Sequence, residues 1–265
     1  MSYALITGAS QGIGLRFARA LAADYGYHLV MVSNQAEQLG TEAETIRQQT
    51  GVTVLTLCTD LARSEAADEV YAFCREQGIE PEVLINNAGI LIFDAFARTD
   101  PKKIDTILML NVLTLTRLTR LMLPAMEARG KGYVLCMSSM TAYTDLPGIQ
   151  CYNACKAYIL HLCRSLWYET RDKGVHVMAL TPGSTATTLL PFPPAMDKWL
   201  KRTGITMSPE RLVSKGLKAL FHSRRKAYMP GVWNTLITFV LRHLPDGFVL
   251  WATRKLLFNH KQQKI

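Results

Sequence analysis

Six short runs of the chain are apolar almost without interruption: SYALIT (2–7), YHLVMVS (27–33), VTVLTL (52–57), EVLINN (82–87), GYVLCMSS (132–139) and VHVMALT (175–181). A run without polar alternation belongs in a strand buried on both faces. Between these runs lie stretches of about three turns or more in which apolar residues recur at helical spacing. Strand, helix and strand repeated this regularly predict right-handed βαβ units and a parallel sheet, an α/β doubly wound, Rossmann-like fold. A short last strand is expected at AYMP (227–230).

Local grammar marks the helix ends. Asp100-Pro101 opens a long helical stretch as a cap followed by proline, and Gly130 closes it after Arg129; Ser208-Pro209-Glu210 opens another in the same way. No linker, repeat or low-complexity tract interrupts the pattern, which predicts one domain over residues 1–265, with 230–265 as a basic, amphipathic helical tail.

Composition changes this picture little, but charge changes it more. Hydrophobic residues make up 49% and charged ones 19%, which suits a folded protein with a sizeable core and excludes global disorder. The net charge of +9 is unevenly placed: residues 1–210 hold 19 Lys+Arg against 20 Asp+Glu, and residues 211–265 hold 11 against one, Asp246. The basic character therefore belongs to the C-terminal fifth rather than to a surface spread over the fold, and no nucleic-acid partner is expected. The chain enters its first strand at once, without the basic flank, longer apolar stretch and cleavage site of a signal peptide, so a cytoplasmic protein is expected. Six cysteines (58, 74, 136, 151, 155, 163) sit mostly in apolar runs with no CxxC pair, which fits a reducing compartment.

Candidate chemistry begins at TGASQGIG (7–14), between the first strand and the first helix. Glycines at 8, 12 and 14 permit a tight turn, a close approach of backbone to a pyrophosphate, and close helix packing, with the helix N-terminus facing the phosphates. The stretch CYNACK (151–156) raises a choice, because it interleaves two pairs at helical i,i+4 spacing: Cys151 with Cys155, and Tyr152 with Lys156. Two thiols do not make a metal site, which wants four ligands, and neither the other cysteines nor the six histidines supply the rest at ligand spacing; no metal is expected. Tyrosine and lysine on one face do suggest chemistry. A nearby ammonium favours phenolate over phenol, and so is expected to move tyrosine down from its reference pKa of ~10.

The glycine spacing is GxxxGxG, and with NNAG (86–89), Tyr152-x-x-x-Lys156 and Pro182-Gly183 the chain resembles the short-chain dehydrogenase/reductase family, in its single-domain branch, over residues 2–230. The resemblance implies that Tyr152 is the general acid for a carbonyl oxygen. Lys156 would lower its pKa and hold the nicotinamide ribose, Ser139 would position the carbonyl oxygen, and Asn111 would hold a water in a proton relay. Asparagine is a poor helix former, which mildly supports a purpose for Asn111.

Further implied cofactor contacts are Gly8, Ser10, Gln11, Gly12, Ile13 and Gly14 in the loop, Asp60 and Leu61 at the adenine, and Asn87, Ala88 and Gly89 under the adenosine ribose. Pro182, Gly183, Thr185 and Thr187 would cover the nicotinamide. Asp60 also reads as a helix cap. At the ribose 2′ position the chain departs from the family: Ser33-Asn34-Gln35 follows the second strand, without the acid of NAD-preferring members or the base of NADP-preferring ones. Without the acid nothing repels a 2′-phosphate, and Ser33 and Asn34 can donate to it, so NADP is expected over NAD.

The segment after Gly183, STATTLLPFPPAMDKWLKRTGITM, corresponds to the family's variable substrate lid and carries Leu189, Leu190, Phe192, Met196, Trp199 and Leu200. It implies a small-molecule apolar carbonyl or alcohol, ketoacyl- or steroid-like, unless these residues only pack on the domain. The tail's apolar runs are too short to span a bilayer, which needs ~20 residues. Its helices read as packing, as a subunit interface in a homo-oligomer, or as peripheral contact with an anionic membrane. A cofactor-binding sensor or scaffold without turnover is the alternative from another class.

Overall fold

Side-chain alternation along the strands sorts the core into two layers, one on each face of a single sheet. The computed structural model of the chain describes residues 2–183 and 206–252. The strands are β1 (Tyr3–Thr7), β2 (His28–Ser33), β3 (Val54–Cys58), β4 (Val83–Asn86), β5 (Gly132–Met137), β6 (Val175–Leu180) and β7 (Ala227–Tyr228). All pair in parallel, in the order β3-β2-β1-β4-β5-β6-β7. The expected doubly wound, Rossmann-like fold is present. β7 is shorter than the run AYMP, which ends in a proline that has no N–H to give a ladder.

Because successive side chains on a strand point to opposite faces, Ala4 and Ile6 of β1 join one core and Leu5 joins the other. The first core is closed by α1 (Gly12–Ala23), α2 (Ala36–Thr50) and α7 (Pro209–His222), through Phe17, Leu21, Leu39, Ile46 and Leu217. The second is closed by α3 (Ala66–Glu76), α5 (Leu115–Arg129) and α6 (Gln150–Thr170), through Val70, Leu118, Met122, Ile159 and Leu160. Each such fully buried Leu or Phe contributes roughly 1.5–3 kcal/mol. The two sets of crossovers lie on opposite faces, so the chain reverses its direction of progress across the sheet between β1 and β4. That switch point opens a crevice at the C-terminal ends of the two strands.

The predicted caps form. Asp100 Oδ1 accepts from the N–H of Lys102 at 3.0 Å and opens α4 (Pro101–Leu108); Ser208 Oγ accepts from Arg211 N at 3.3 Å; Gly130 closes α5 at φ +66°. The expected helical stretch runs without a break from Pro101 to Arg129, with one irregularity: a π-helical turn, Met109–Thr114, separates α4 from α5. The π turn carries Asn111, whose side chain bonds outside the helix. The whole stretch is apolar and long enough to cross a membrane by length and composition, but it is the crossover between β4 and β5, and Leu118, Met122 and Met126 are buried in the core.

After β7 follow α8 (Val232–Arg242) and α9 (Asp246–Ala252), the described part of the basic tail.

Candidate active site

The site assembles where the strands end. Thr7, the last residue of β1, accepts at Oγ1 from the N–H groups of both Asn87 and Ala88 at 3.0 Å, and Asn87 Nδ2 donates back to the carbonyls of Thr7 at 3.0 Å and Gly8 at 3.3 Å. These four bonds stitch the ends of β1 and β4 together across the switch point. Gly8 and Gly12 hold positive φ, +66° and +57°. A β-carbon on Gly14 would overlap the carbonyl oxygen of Gly8, so the close packing of turn on helix requires glycine there.

The first turn of α1 is left available. Gln11 at its N-cap makes no side-chain cap bond, and a β-carbon on Gly12 would meet nothing within 4 Å. Free N–H groups at a helix N-terminus, beside a glycine open to the outside, suit an anion such as a diphosphate by dipole and donor set alike. Ile13 is half-buried. At the neighbouring end of β2, Ser33 Oγ lies 2.8 Å from Ser10 Oγ and accepts from Gln35 N at 3.3 Å, while Asn34 is exposed. The glycine turn and the predicted 2′ subsite are thus tied together. Asp60 is exposed and its Oδ1 accepts from Ala62 N at 3.0 Å in a local turn; it is not a helix cap, since α3 begins at Ala66. Leu61 is buried, and its carbonyl accepts from Thr114 of the π turn at 2.8 Å.

Across the crevice, Tyr152 and Lys156 share the buried face of α6, as their spacing predicts. Lys156 Nζ donates to the carbonyl of Met137, the last residue of β5, at 2.6 Å and lies 5.3 Å from the centroid of the Tyr152 ring. Ser138 Oγ donates to the Lys156 carbonyl at 2.7 Å, which fastens α6 to the strand end. Ser139 hydrogen-bonds the Tyr152 hydroxyl and caps the short turn Met140–Tyr143 by accepting from Thr141 N at 3.1 Å. Asn111 is buried and makes two bonds to one residue: Oδ1 accepts from Ile90 N and Nδ2 donates to Ile90 O, both at 2.9 Å. A β-carbon on Gly89 would lie 3.0 Å from Asn111 Oδ1 and 3.6 Å from Lys156 Nζ. The structure therefore brings Ser139, Tyr152 and Lys156 together at the end of β5, while Asn111 and Lys156 approach each other at Gly89, with Asn111 holding backbone.

The electrostatics correct one expectation. Burial pushes the Tyr152 phenol up to about 12, and its bond from Ser139 only partly offsets this. Burial pushes the Lys156 ammonium down to about 8, against the opposing influence of Cys155 and Cys136. The lysine does not bring the tyrosine toward neutral pH in this arrangement: its charge is itself costly at this depth, and its proton is directed to a carbonyl.

Pro182 and Gly183 are half-buried beyond β6; the Pro182 carbonyl accepts from Met140 N at 2.9 Å, and a β-carbon on Gly183 would meet the Asn234 side chain. Thr185, Thr187 and the apolar segment Leu189 to Leu200 lie outside the described residues. The motif reading passed over Thr7 and Asn86, which anchor the site from below. Asn86 Nδ2 reaches Thr119 Oγ1 at 2.9 Å and Cys136 Sγ at 3.4 Å. For Thr7 the available signal was a hydroxyl at the last strand position before the glycine turn. In a cavity of about 480 Å³ at the opposite end of the sheet, Glu80 pairs with Arg75 and Arg129, and Glu82 pairs with Lys131.

A strand-switch crevice with a glycine turn at the ends of parallel strands is the architecture of a dinucleotide-binding fold. The family model for short chain dehydrogenases matches residues 2–193, and the chain belongs to that family. It is 32% identical over 226 residues to a very-long-chain 3-oxoacyl-CoA reductase from Phaeosphaeria nodorum, covering 84% of this chain and 64% of the relative. It is likewise 32% identical over 218 residues to mouse 17-beta-hydroxysteroid dehydrogenase type 3, covering 82% and 68%. A rat relative named inactive hydroxysteroid dehydrogenase-like protein 1 is 27% identical over 268 residues, covering 99% of this chain and 77% of the relative. The chain thus spans about two thirds of the length of the first two. Among solved structures, a short-chain dehydrogenase from Sphingobium yanoikuyae in complex with NADPH superposes with a TM-score of 0.78 at 28% identity, covering 97% of this chain and 96% of that one.

Proposed function

We propose that this protein is an oxidoreductase that interconverts a carbonyl and a secondary alcohol on an apolar, ketoacyl- or steroid-like substrate, using NADP(H). The observation that carries the reading is the convergence of Tyr152, Lys156 and Ser139 at the end of β5, beside the strand-switch crevice that also holds the open glycine turn. The named relatives support the substrate class, and the NADPH-bound neighbour supports the cofactor.

In this mechanism Ser139 holds the substrate oxygen next to the Tyr152 hydroxyl. Tyr152, protonated at neutral pH because its pKa stands near 12, gives its proton to that oxygen during reduction and takes it back during oxidation. Lys156, with a pKa near 8 and on the same helix face as Tyr152, can gain or lose a proton near physiological pH. Asn111, through its two bonds to Ile90, sets the backbone that separates it from Lys156. The N–H groups opening α1 would hold the diphosphate, Ser33 and Ser10 the 2′-phosphate, and Lys156 the ribose hydroxyls. When bound, the nicotinamide supplies or accepts the hydride.

The test is a panel of 3-oxoacyl thioesters and steroid ketones, assayed with NADPH and with NADH. Ser33→Asp places a carboxylate where a 2′-phosphate would sit, and should shift the kcat/KM ratio toward NADH by about tenfold or more. A wild-type enzyme that already prefers NADH by that margin overturns the NADP assignment. The relative named inactive favours a second reading, cofactor binding without turnover; NADPH binding with no product from any of these ketones would establish it.

A further inference from the structure

Three consecutive residues at and just after the end of β5 grip one stretch of α6. The carbonyl of Met137 accepts from Lys156 Nζ at 2.6 Å, Ser138 Oγ donates to the Lys156 carbonyl at 2.7 Å, and Ser139 bonds the Tyr152 hydroxyl. Lys156 is therefore held at both ends, by its ammonium and by its backbone. A helix carbonyl has two lone pairs, so this one can keep its bond within α6 while it accepts from Ser138. The two anchors are neighbours in the chain. The bond from Ser138 thus fixes where the backbone of Lys156 stands relative to the carbonyl that its ammonium reaches.

The fold leaves this bond much to decide. Ser138 is buried (3% exposed) and gives its N–H to the Leu180 carbonyl of β6 at 2.8 Å, so it belongs to the rigid sheet side of the contact. The start of α6 is less firmly set: Ile149 at its N-cap provides no side-chain cap, and Asn153 Nδ2 ties the first turn to the preceding loop at Leu146 O, 2.8 Å away. Ser138 fastens the next turn to the sheet. Depth matters there, because burial holds the Lys156 ammonium down to about 8, and a small withdrawal of the turn would let water reach it.

We propose that Ser138 is a positioning residue: its hydroxyl sets the depth of Lys156 in the core and, through it, the placing of the ammonium against the Tyr152 ring. The kinetic consequence rests on the oxidoreductase reading; the consequence for the free protein does not.

A hydroxyl that only filled space would lower stability equally at every pH when removed. In Ser138→Ala the turn should withdraw and the ammonium gain water, which relieves part of a burial penalty that is full below pH 8 and fades as pH rises to 10.5. The loss of stability is then smallest near neutral pH. Urea midpoints of the protein without cofactor or substrate should show the gap between wild type and Ser138→Ala widening from neutral pH to about pH 10. Ser138→Thr keeps the hydroxyl and should keep the wild-type slope, even where its added methyl costs stability at every pH. Ser138→Cys, of similar shape and weaker as a donor, takes the place of the alanine variant if that does not fold. Thr170→Val is the control: it removes another fully buried hydroxyl from α6, one that donates to Leu166 O at 2.9 Å, and its gap should not vary with pH. With NADPH and a ketone that the wild type reduces, Ser138→Ala should lower kcat about tenfold, change KM less, and move the pH profile up by about one unit. A gap that is constant with pH, an unmoved pH profile, or a Ser138→Thr slope equal to that of Ser138→Ala overturns the proposal. A wild type that reduces no ketone removes the oxidoreductase reading instead, and the urea comparison still decides the role of Ser138.

Discussion

Helices α6 and α8 each bury a pair of polar residues one turn apart, Tyr152 with Lys156 and Asn234 with Thr238, and the two pairs do opposite things. In α6 the pair turns outward from its own helix. The lysine donates to the end of β5, the tyrosine bonds Ser139, and both depart from their ordinary pKa because burial is not fully compensated. In α8 the pair closes on local backbone, reaching Pro230 O and Asn234 O with neutral groups, while the buried Asn234 Oδ1 has no partner. Spacing says that two side chains share a face. Whether that face stores chemistry or merely satisfies a turn depends on where the donors end up.

Substitutions can separate the two cases, and the largest effect belongs to α6. Tyr152→Phe keeps the ring and removes the proton donor, so turnover should fall by roughly 10²-fold or more, with NADPH binding little changed; stopped-flow product formation and fluorescence titration measure the two. Preserved turnover would reduce the α6 pair to the status of the α8 pair.

Lys156→Met should trade activity for stability. A lysine whose pKa falls from 10.5 to about 8 on folding is penalised fully below pH 8, and the penalty fades as pH rises to 10.5, because the unfolded chain binds more protons over that interval. Removing it should therefore stabilise the free protein below pH 8 by roughly 1–3 kcal/mol, after the loss of one bond to the Met137 carbonyl, and by nothing near pH 10.5. Urea midpoints across that range carry the sign. Tyr152 contributes the reverse slope above pH 10, where the unfolded phenol ionises first.

Asn234→Ala tests the quieter helix. It leaves the Pro230 carbonyl without its donor and should cost roughly 1–3 kcal/mol in thermal unfolding, while turnover on a water-soluble ketone changes less than about twofold. Smallest is Cys155→Ala. Cys155 is a buried thiol beside Tyr152 and Lys156, and its loss should cost about 1 kcal/mol and leave kcat unaltered. A large fall in kcat there would reopen the choice between the two interleaved pairs in CYNACK.

Much of this was legible before any coordinates. The six apolar runs became the six long strands because both faces of a parallel sheet exclude water, and the caps at Asp100 and Ser208 form because their side chains reach the first free N–H groups. The candidates Asn111, Ser139, Tyr152 and Lys156 were legible through family likeness and i,i+4 spacing. Three things were not. The π turn leaves no trace in hydrophobic pattern, since ILMLNVLTL reads equally well at either pitch, and only the poor helix propensity of Asn111 hinted at it. The direction of the Tyr152 shift depends on depth of burial and on where Lys156 sends its proton, which no sequence distance encodes. The amphipathicity of α8 was plain, but an amphipathic helix does not say which of its faces looks inward.

The π turn at Met109–Thr114 behaves as a phase shifter between two segments of one rod. Relative to an α-helix it accommodates an extra residue, and one residue is worth about 100° of rotation about the axis. Upstream, α4 can therefore be oriented for the crevice, and downstream α5 for the sheet, without either imposing its angular register on the other. A deletion of a single residue inside 109–114 would remove the residue that the wider turn accommodates and let the segment relax to uniform α pitch with its two halves still aligned, so its effect should fall on the position of Asn111 rather than on the packing of α4 and α5.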